Sequence, residues 1–265
     1  TMSIDPRNDA PSGNADATLG NITEDIASDK NPGKTVTELF AGNFSDEWAG
    51  AKADGKGDKF NEHEDYLDTF AGIIITGNAA TASQGVWQYS TDDGENWTAI
   101  TAGTYLANDV DIRFLPKDNW NGTPGQLIVH LVENDLNTDS TGNQDWVTGN
   151  TYSTADKDIG GTTRVSKDTV AIGTVVTPVN DAPEFKTLEV SITQPEDSTA
   201  KLGANNSYAK TISTLVSSAM FKDDTDDVSG GSTKDKFWGI AIVGGVEDDH
   251  GKWMYSVDGG ATWAE

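Results

Sequence analysis

Acidic residues recur in this sequence at spacings that could hold a metal ion. Asn8-Asp9 returns 172 residues later as Asn180-Asp181. Each pair is followed at the same distance by a Glu-Asp pair, Glu24-Asp25 in the first copy and Glu196-Asp197 in the second. Calcium takes about six to eight oxygens from carboxylates, Asn amides and backbone carbonyls, so several such groups must converge from loops. The repetition predicts calcium as a cofactor, with the candidate ligands Asp5, Asn8, Asp9, Glu24, Asp25, Asp109, Asp111, Asn180, Asp181, Glu196, Asp197, Asp223 and Asp224.

A solvated surface is the alternative interpretation of any single acidic run. Asp109 and Asp111 stand at alternate positions entering a predicted strand, and residues 223–227 form a dense run from which Asp223 and Asp224 are retained as ligands. None of these is an EF-hand loop, because the Asp-x-Asp-x-Asp-Gly pattern with its terminal Glu is not found. We expect Asp226-Asp227 to lie on the surface.

Charge and composition exclude several classes of function. The chain has 265 residues with 43 acidic and 18 basic side chains, for a net charge of -25. Nucleic acids and anionic membranes are not expected as partners, because binding them needs clustered Lys and Arg. Cysteine is absent, which excludes disulfides and thiolate chemistry. No apolar stretch is long enough to span a bilayer, so direct membrane insertion is not expected.

Catalytic patterns are also missing from the sequence. The chain has three histidines, His63, His130 and His250, and no two of them have the short spacing of paired metal ligands. Neither a phosphate-binding glycine loop nor a nucleophile elbow is found. Two carboxylates alone can build a glycosidase, but with 43 acidic residues such a pair is uninformative. We therefore expect the chain not to be an enzyme.

Short segments rich in β-branched and aromatic residues dominate the chain, which is typical of an all-β protein. Predicted strands cover residues 73–76, 86–90, 111–115, 126–132 and 170–176, with short helical turns near residues 34–41 and 212–220. The duplicated motifs predict two tandem β-sandwiches at residues 1–182 and 183–265. The residues after the first copy's hairpin have no counterpart in the second copy, so we expect the second copy to be incomplete at its C-terminal end.

Aromatic residues mark this hairpin in both copies. Residues 87–90 read Trp-Gln-Tyr-Ser and residues 253–256 read Trp-Met-Tyr-Ser. In the first copy, Asp93-Gly94 predicts a turn with positive φ. Core packing is the favoured role of these tryptophans, and a sugar-stacking platform is the alternative. Trp48, Trp120 and Trp146 lie in loop-like sequence, and exposure of Trp48 or Trp146 would favour a binding role.

These motifs together resemble the bacterial cadherin-like repeats of very large surface adhesins, including the biofilm-associated and RTX adhesins exported by type I secretion. The resemblance depends on Val179-Asn180-Asp181-Ala182-Pro183, Ile22-Thr23-Glu24-Asp25, the tryptophan hairpin, and residues 112–116 followed by Asn121-Gly122. It implies Greek-key, Ig-like β-sandwiches that bind calcium at their junctions, and it implies that Trp120 forms a structural corner. One acidic linker residue of the family is replaced here by Pro178.

The same resemblance implies a function and a location. We expect a calcium-binding structural or extender segment of an adhesin, placed outside the cell on the bacterial surface and stiffened by calcium at the interdomain junction. Its partners would be neighbouring repeats of the same adhesin. The alternative is a region that binds glycans or peptides of a target surface, in which the second repeat is a split domain carrying an inserted lectin-like domain.

Overall fold

The structure is a computed structural model, and it describes residues 9–46, 69–134, 146–155, 158–186, 189–194, 208–216, 220–226, 230, 232–245 and 251–265. The chain divides into two compact units, Thr1–Val179 (unit 1) and Asn180–Glu265 (unit 2). The regular structure in the described residues consists mostly of β-strands, and the helices are short. The predicted all-β class is therefore confirmed.

The described residues of unit 1 form eleven strands. Numbered β1 to β11 in chain order, they are Ser12–Gly13, Ala17–Thr23, Lys34–Thr35, Phe44–Ser45, Thr69–Asn78, Gly85–Ser90, Thr98–Ala99, Tyr105–Ala107, Asp111–Pro116, Leu127–Asn134 and Val170–Thr177. The five strands predicted from sequence coincide with β5, β6, β9, β10 and β11, because their β-branched and aromatic side chains pack on a half-buried pleated surface.

Two sheets arise from these strands. The first has the order β2-β11-β10-β5-β8, in which β2 pairs with β11 in parallel and the other pairs are antiparallel. The second has the antiparallel order β3-β9-β6-β7. β1 pairs separately with β4, also antiparallel. The order places β5 between β10 and β8, and β6 between β9 and β7.

One short helix closes the core of unit 1. Helix α1, Val36–Phe40, follows the predicted helical turn and begins with a capping box. The Thr35 side chain accepts a hydrogen bond from the Glu38 backbone N–H, and the Glu38 carboxylate accepts one from the Thr35 N–H. This exchange satisfies two donors that the first turn leaves open. The helix buries Leu39 and Phe40, and a 3-10 turn at Ser28–Lys30 precedes it.

Both sheets contribute to one hydrophobic core. Ile73 and Ile75 of β5 pack with Val129 and Leu131 of β10, while the second sheet supplies Trp87 of β6 among others. Trp87 is fully buried and its Nε1–H donates to the Gly125 carbonyl at 2.8 Å. Fully burying a large apolar side chain contributes about 1.5–3 kcal/mol. The core-packing role predicted for this tryptophan is confirmed.

A second apolar cluster covers the other face of the first sheet. It joins Ile74 of β5 and Val132 of β10 with Val165 from the segment that leads to β11. Trp146 stacks on Tyr105 at 5.2 Å between ring centroids, and the same tyrosine has a raised pKa, chiefly because it is buried. Residues 146–165, which follow β10, therefore supply side chains that cover this face of the first sheet.

The hairpin between β6 and β7 is closed by a hydrogen-bonded turn. Asp93-Gly94 has positive φ at both residues, 55° and 84°, as predicted. The Ser90 hydroxyl donates to Asp92 Oδ1 at 2.8 Å, and the same oxygen accepts the Asn96 N–H at 2.8 Å. Trp97 Nε1–H donates to the Gly94 carbonyl at 2.9 Å. These bonds, with those from Asn96 as the largest cause, lower the pKa of Asp92.

Unit 2 contains the same turn with corresponding hydrogen bonds. The Ser256 hydroxyl donates to Asp258 Oδ1 at 2.8 Å, Thr262 N–H donates to the same oxygen at 2.8 Å, and Trp263 Nε1–H donates to the Gly260 carbonyl at 3.0 Å. Hydrogen bonds from Thr262 are the largest cause of a lowered pKa at Asp258. The duplication in the sequence is therefore also a duplication of local structure.

The described residues of unit 2 contain two further strands and a helical turn. They are β12 at Glu184–Phe185, β13 at Phe221–Lys222 and α2 at Ile212–Leu215. β12 pairs antiparallel with β13, and Phe221 meets Phe237 edge to face at 5.8 Å. Helix α2 begins where the sequence predicted a helical turn and is shorter than predicted.

Candidate metal centre

The candidate centre starts from a strand pair that occurs in both units. Ser12 faces Ser45 in the β1–β4 pair of unit 1, and Glu184 faces Lys222 in the β12–β13 pair of unit 2. Ser12 and Glu184 are 172 residues apart, the spacing of the duplicated Asn-Asp motifs. The two copies therefore place Asp9 and Asp181 at the same point, just before the first strand of a short antiparallel pair.

A buried aspartate follows the second strand of each pair. Asp46 comes directly after β4 and is 7% exposed, and Asp223 comes directly after β13 and is 2% exposed. Carboxylates are almost never fully buried unless they are paired or bind a cation. The recurrence of a buried Asp at this position makes it the centre of each candidate site.

In unit 2, two more aspartates, Asp181 and Asp226, are hydrogen-bonded to each other. Because β12 and β13 are antiparallel, the chain before β12 runs beside the chain after β13. Asp181 N–H accordingly donates to Asp226 Oδ2 at 3.1 Å, and the Ser232 hydroxyl donates to Asp226 Oδ1. Asp226 is 3% exposed, so its predicted surface location is wrong. Asp227 lies outside the described residues.

The two carboxylate oxygens of Asp223 differ in their hydrogen bonding. Its Oδ2 accepts the Asp235 N–H at 2.5 Å. Its Oδ1 is buried and has no hydrogen-bond partner within the described residues. A buried polar atom without a partner loses its hydration without compensation, at a cost of about 1–3 kcal/mol and more if charged. A cation with hard oxygen ligands would remove that cost.

Asp224, the next residue, is in a different environment. Its carboxylate lies on the surface and pairs with Lys222 at 2.7 Å and with Lys234 at 3.6 Å. The hydrogen bond from Lys222 lowers the pKa of Asp224, and the same bond raises the pKa of Lys222. The structure therefore separates Asp224, held by lysines, from the buried Asp223.

Glu24 is buried directly after the C-terminal end of β2, where its carboxylate accepts hydrogen bonds from two other segments of unit 1. Its Oε1 accepts the Val179 N–H at 2.7 Å, and its Oε2 accepts an Asn121 side-chain N–H at 3.0 Å. Asp25 is exposed, has a φ of 56°, and accepts the Asn119 N–H on Oδ1 at 2.8 Å. Glu24 thus ties the β2 end to the chain after β11, and Asp25 ties it to the loop after β9.

Asp109 and Asp111 border β9 of unit 1. Asp109 is exposed, and Asp111 is half-buried opposite Ser90 and Thr35. Burial raises the pKa of Asp111, and the negative charges of Asp93 and Glu38 add to that effect. Of the remaining candidate ligands, Asp9 is half-buried before β1 and Asn180 is exposed; Asp5, Asn8, Glu196 and Asp197 lie outside the described residues.

The tryptophans considered as binding platforms are engaged in packing. Trp120 meets Phe114 at 6.3 Å, and Trp146 is half-buried between Tyr105 and Tyr152. Such edge-to-face and stacked pairs stabilise the folded state. No observation on these two residues favours sugar binding, and Trp48 lies outside the described residues.

No group of three or more Asp, Glu or His side chains in the described part of the chain is arranged to hold a metal ion. No helix among the described residues has both the length and the apolar character needed to cross a membrane. No family model, curated protein or solved structure matches the chain.

Proposed function

We propose that this chain is a non-enzymatic, calcium-dependent structural segment of a bacterial cell-surface adhesin, built from tandem cadherin-like Greek-key β-sandwiches and acting outside the cell. The observation that carries the proposal is Asp223, a buried aspartate whose Oδ1 has no partner among the described residues. It lies in the same loop as the buried Asp226. A cation is the ligand that such a loop accepts.

Calcium fits this loop better than other metals. The available donors are carboxylate oxygens, and the chain has no cysteine for a softer metal. Calcium tolerates irregular geometry and fills its coordination with backbone carbonyls and water, whereas magnesium demands a near-ideal octahedron. Two buried aspartates can therefore begin a calcium site without a third acidic side chain.

The mechanism that we propose is neutralisation followed by ordering. At a net charge of -25, acidic loops repel one another, and a bound divalent cation replaces that repulsion with shared coordination. An ion on Asp223 would fix the turn after β13, and through Asp226 and Asp181 it would hold the start of unit 2. In the adhesin, this would stiffen the chain at the linker and align it with neighbouring repeats.

A calcium titration with matched variants tests the proposal. The full chain is stripped with chelator, and binding is measured by calorimetry together with the melting temperature. Asp223→Asn keeps the shape of the side chain but removes its charge, so we expect at least tenfold weaker binding at one site. The parent gains about 2.7 kcal/mol of stability when free calcium is 100 times Kd.

Asp224→Asn is the control, because its carboxylate lies on the surface with Lys222 and Lys234. The calcium affinity of this variant should stay within about twofold of the parent, since the Asp224 carboxylate is exposed and already paired with two lysines. Equal losses in the two variants, or no calcium-dependent heat and no shift in melting temperature, would reject the proposal. Small-angle scattering of the same samples measures stiffening, which we expect in calcium and not in chelator.

A further inference from the structure

His130 lies at an interruption in the pairing of β10. On one side of it, β10 pairs with β11 in a regular ladder that ends at Val129. On the other side, the partner is irregular chain that precedes β11, residues 164–168, here called the edge segment. Leu131 N–H donates to Ser166 Oγ at 2.9 Å, and Ser166 N–H donates to the Leu131 carbonyl at 2.9 Å. The histidine therefore lies where the strand partner of β10 is replaced by a loop.

The edge segment has few contacts with β10. Besides the two bonds between Ser166 and Leu131, the Glu133 N–H donates to the Arg164 carbonyl at 3.1 Å, and Val165 forms an isolated bridge. On its other edge, β10 pairs with β5 along its whole length. Local opening of a folded protein begins where such contacts are sparse. The edge segment can therefore separate from β10 while the pairing of β10 with β5 is kept.

The imidazole of His130 is buried without full hydrogen bonding. The residue is 5% exposed, and its Nδ1 has no hydrogen-bond partner within the described residues. His130 is the cross-strand partner of Ile74, so the two side chains lie on the same face of the first sheet. A protonated imidazole carries a donor on both nitrogens. Protonation in the attached arrangement would bury a charge together with an unpaired N–H, which is unfavourable.

Little negative charge compensates this burial. The neighbouring strands β5 and β11 contain no titratable residue. The titratable side chains in the described parts of β10 and of the chain that covers it are Glu133, Tyr152, Asp158, Arg164, Lys167 and Asp168. Of these, Asp168 is the one whose charge favours the protonated imidazole. Burial lowers the pKa of His130, and hydrogen bonding to the backbone of Asp168 and Ser166 offsets only part of that effect.

We propose that His130 is a pH-sensitive switch, whose protonation releases the edge segment from β10 while the two sheets of unit 1 stay folded. In the released arrangement, water reaches the imidazole and hydrates the cation. Release also uncovers the backbone groups of residues 131–133, and an unpaired strand edge is able to pair with another chain. The edge segment contains none of the candidate calcium ligands, so the switch is independent of calcium.

Acid favours the released arrangement because the proton binds there more readily. A hydrated histidine has a pKa of about 6.5, and the buried one has a lower pKa. As pH falls below about 6.5, the released form therefore gains the proton first, and the attached form loses stability relative to it. One proton changes this equilibrium by at most about tenfold for each pH unit.

Hydrogen exchange of the full chain, read by mass spectrometry in chelator at pH 7 and pH 5, tests the switch. The rates are corrected for the intrinsic pH dependence of exchange. We expect protection of residues 131–133 and of the edge segment to fall by about tenfold, whereas residues 111–116 of β9 keep theirs. An equal loss in β9 would mean global unfolding and would overturn the proposal, as would unchanged protection of the edge segment.

A variant assigns the effect to the histidine. Glutamine stays neutral over this range, so in His130→Gln the protection of the edge segment should change by less than about twofold between the two pH values. His250→Gln, which alters another histidine of the chain, is the control and should behave as the parent does. A tenfold fall that persists in His130→Gln would overturn the proposal. If that variant does not fold, the ring of His130 is titrated by NMR in the parent: a midpoint below about 6.5 supports the switch, and a midpoint at or above it overturns the switch.

Discussion

The substitution Glu24→Gln distinguishes two roles for this carboxylate: a hydrogen-bonded contact that holds the fold together, and a ligand of a metal ion. The carboxylate is 4% exposed and accepts two hydrogen bonds, from Val179 N–H at 2.7 Å and from Asn121 Nδ2–H at 3.0 Å. Glutamine retains an oxygen for one donor and presents an amide N–H to the other. One charge-assisted bond is lost, and two donors then face each other in a buried place.

The expected cost follows from these contacts. A hydrogen bond to a charged group contributes about 1.5–3 kcal/mol, and an unsatisfied buried donor costs about 1–3 kcal/mol. Because local relaxation relieves part of this, we expect Glu24→Gln to lower the free energy of unfolding by about 2–4 kcal/mol. For a unit of this size, the melting temperature should fall by about 5–15 °C.

The assay is urea unfolding of the full chain, followed by tryptophan fluorescence in calcium and in excess chelator. If Glu24 acts only through its hydrogen bonds, the variant loses the same free energy of unfolding in calcium and in chelator. Asp25→Asn is the control, since the exposed residue keeps the oxygen that accepts from Asn119 and Asn tolerates its positive φ. A loss that appears in calcium and vanishes in chelator would refute the tie and make Glu24 an ion ligand.

Two further predictions concern the interior of unit 1. Gly125→Ala should destabilise the unit by about 1–3 kcal/mol or more in urea unfolding, because its Cβ would lie 2.1 Å from the Ala79 backbone; Gly77→Ala, with ordinary contacts of 3.5 Å, is the control. Burial lowers the pKa of His130, so the unfolded chain binds its proton more readily. Stability should therefore fall as pH drops below about 6.5, and His130→Gln should flatten that part of the pH profile measured in chelator.

Local signals predicted much of the fold. Alternating apolar residues located β5, β6, β9, β10 and β11, because the period of two is imposed on a strand by its own geometry. Asp93-Gly94 identified the turn, since few residues other than Gly, Asn and Asp accept positive φ. The turn's hydrogen bonds, however, depend on Ser90 and Asp92, which the dipeptide alone does not indicate.

Burial of individual acidic residues was not predictable in the same way. Asp223 and Asp226 sit in one acidic run with Asp224, yet two of them are buried and one pairs with lysines on the surface. Which carboxylate turns inward is decided by the β12–β13 pairing, a contact between residues about forty apart in the sequence. Asp223 was a candidate ligand from the sequence, but its burial was not predicted. The signal for that burial is its alignment with Asp46, because both follow a Phe-x dipeptide at the end of a short strand.

The two units together separate local from long-range causes of this fold. The serine-aspartate turn and the tryptophan contact to a glycine carbonyl form in both units, with bond lengths that differ by at most 0.1 Å for the paired contacts Ser90–Asp92 with Ser256–Asp258 and Trp97–Gly94 with Trp263–Gly260. Burial of the tryptophan on the preceding strand differs, however, since Trp87 is 0% exposed and its counterpart Trp253 is 69% exposed. The hairpin therefore needs only its own residues, whereas burial of its apolar face needs strands that lie far away in the sequence.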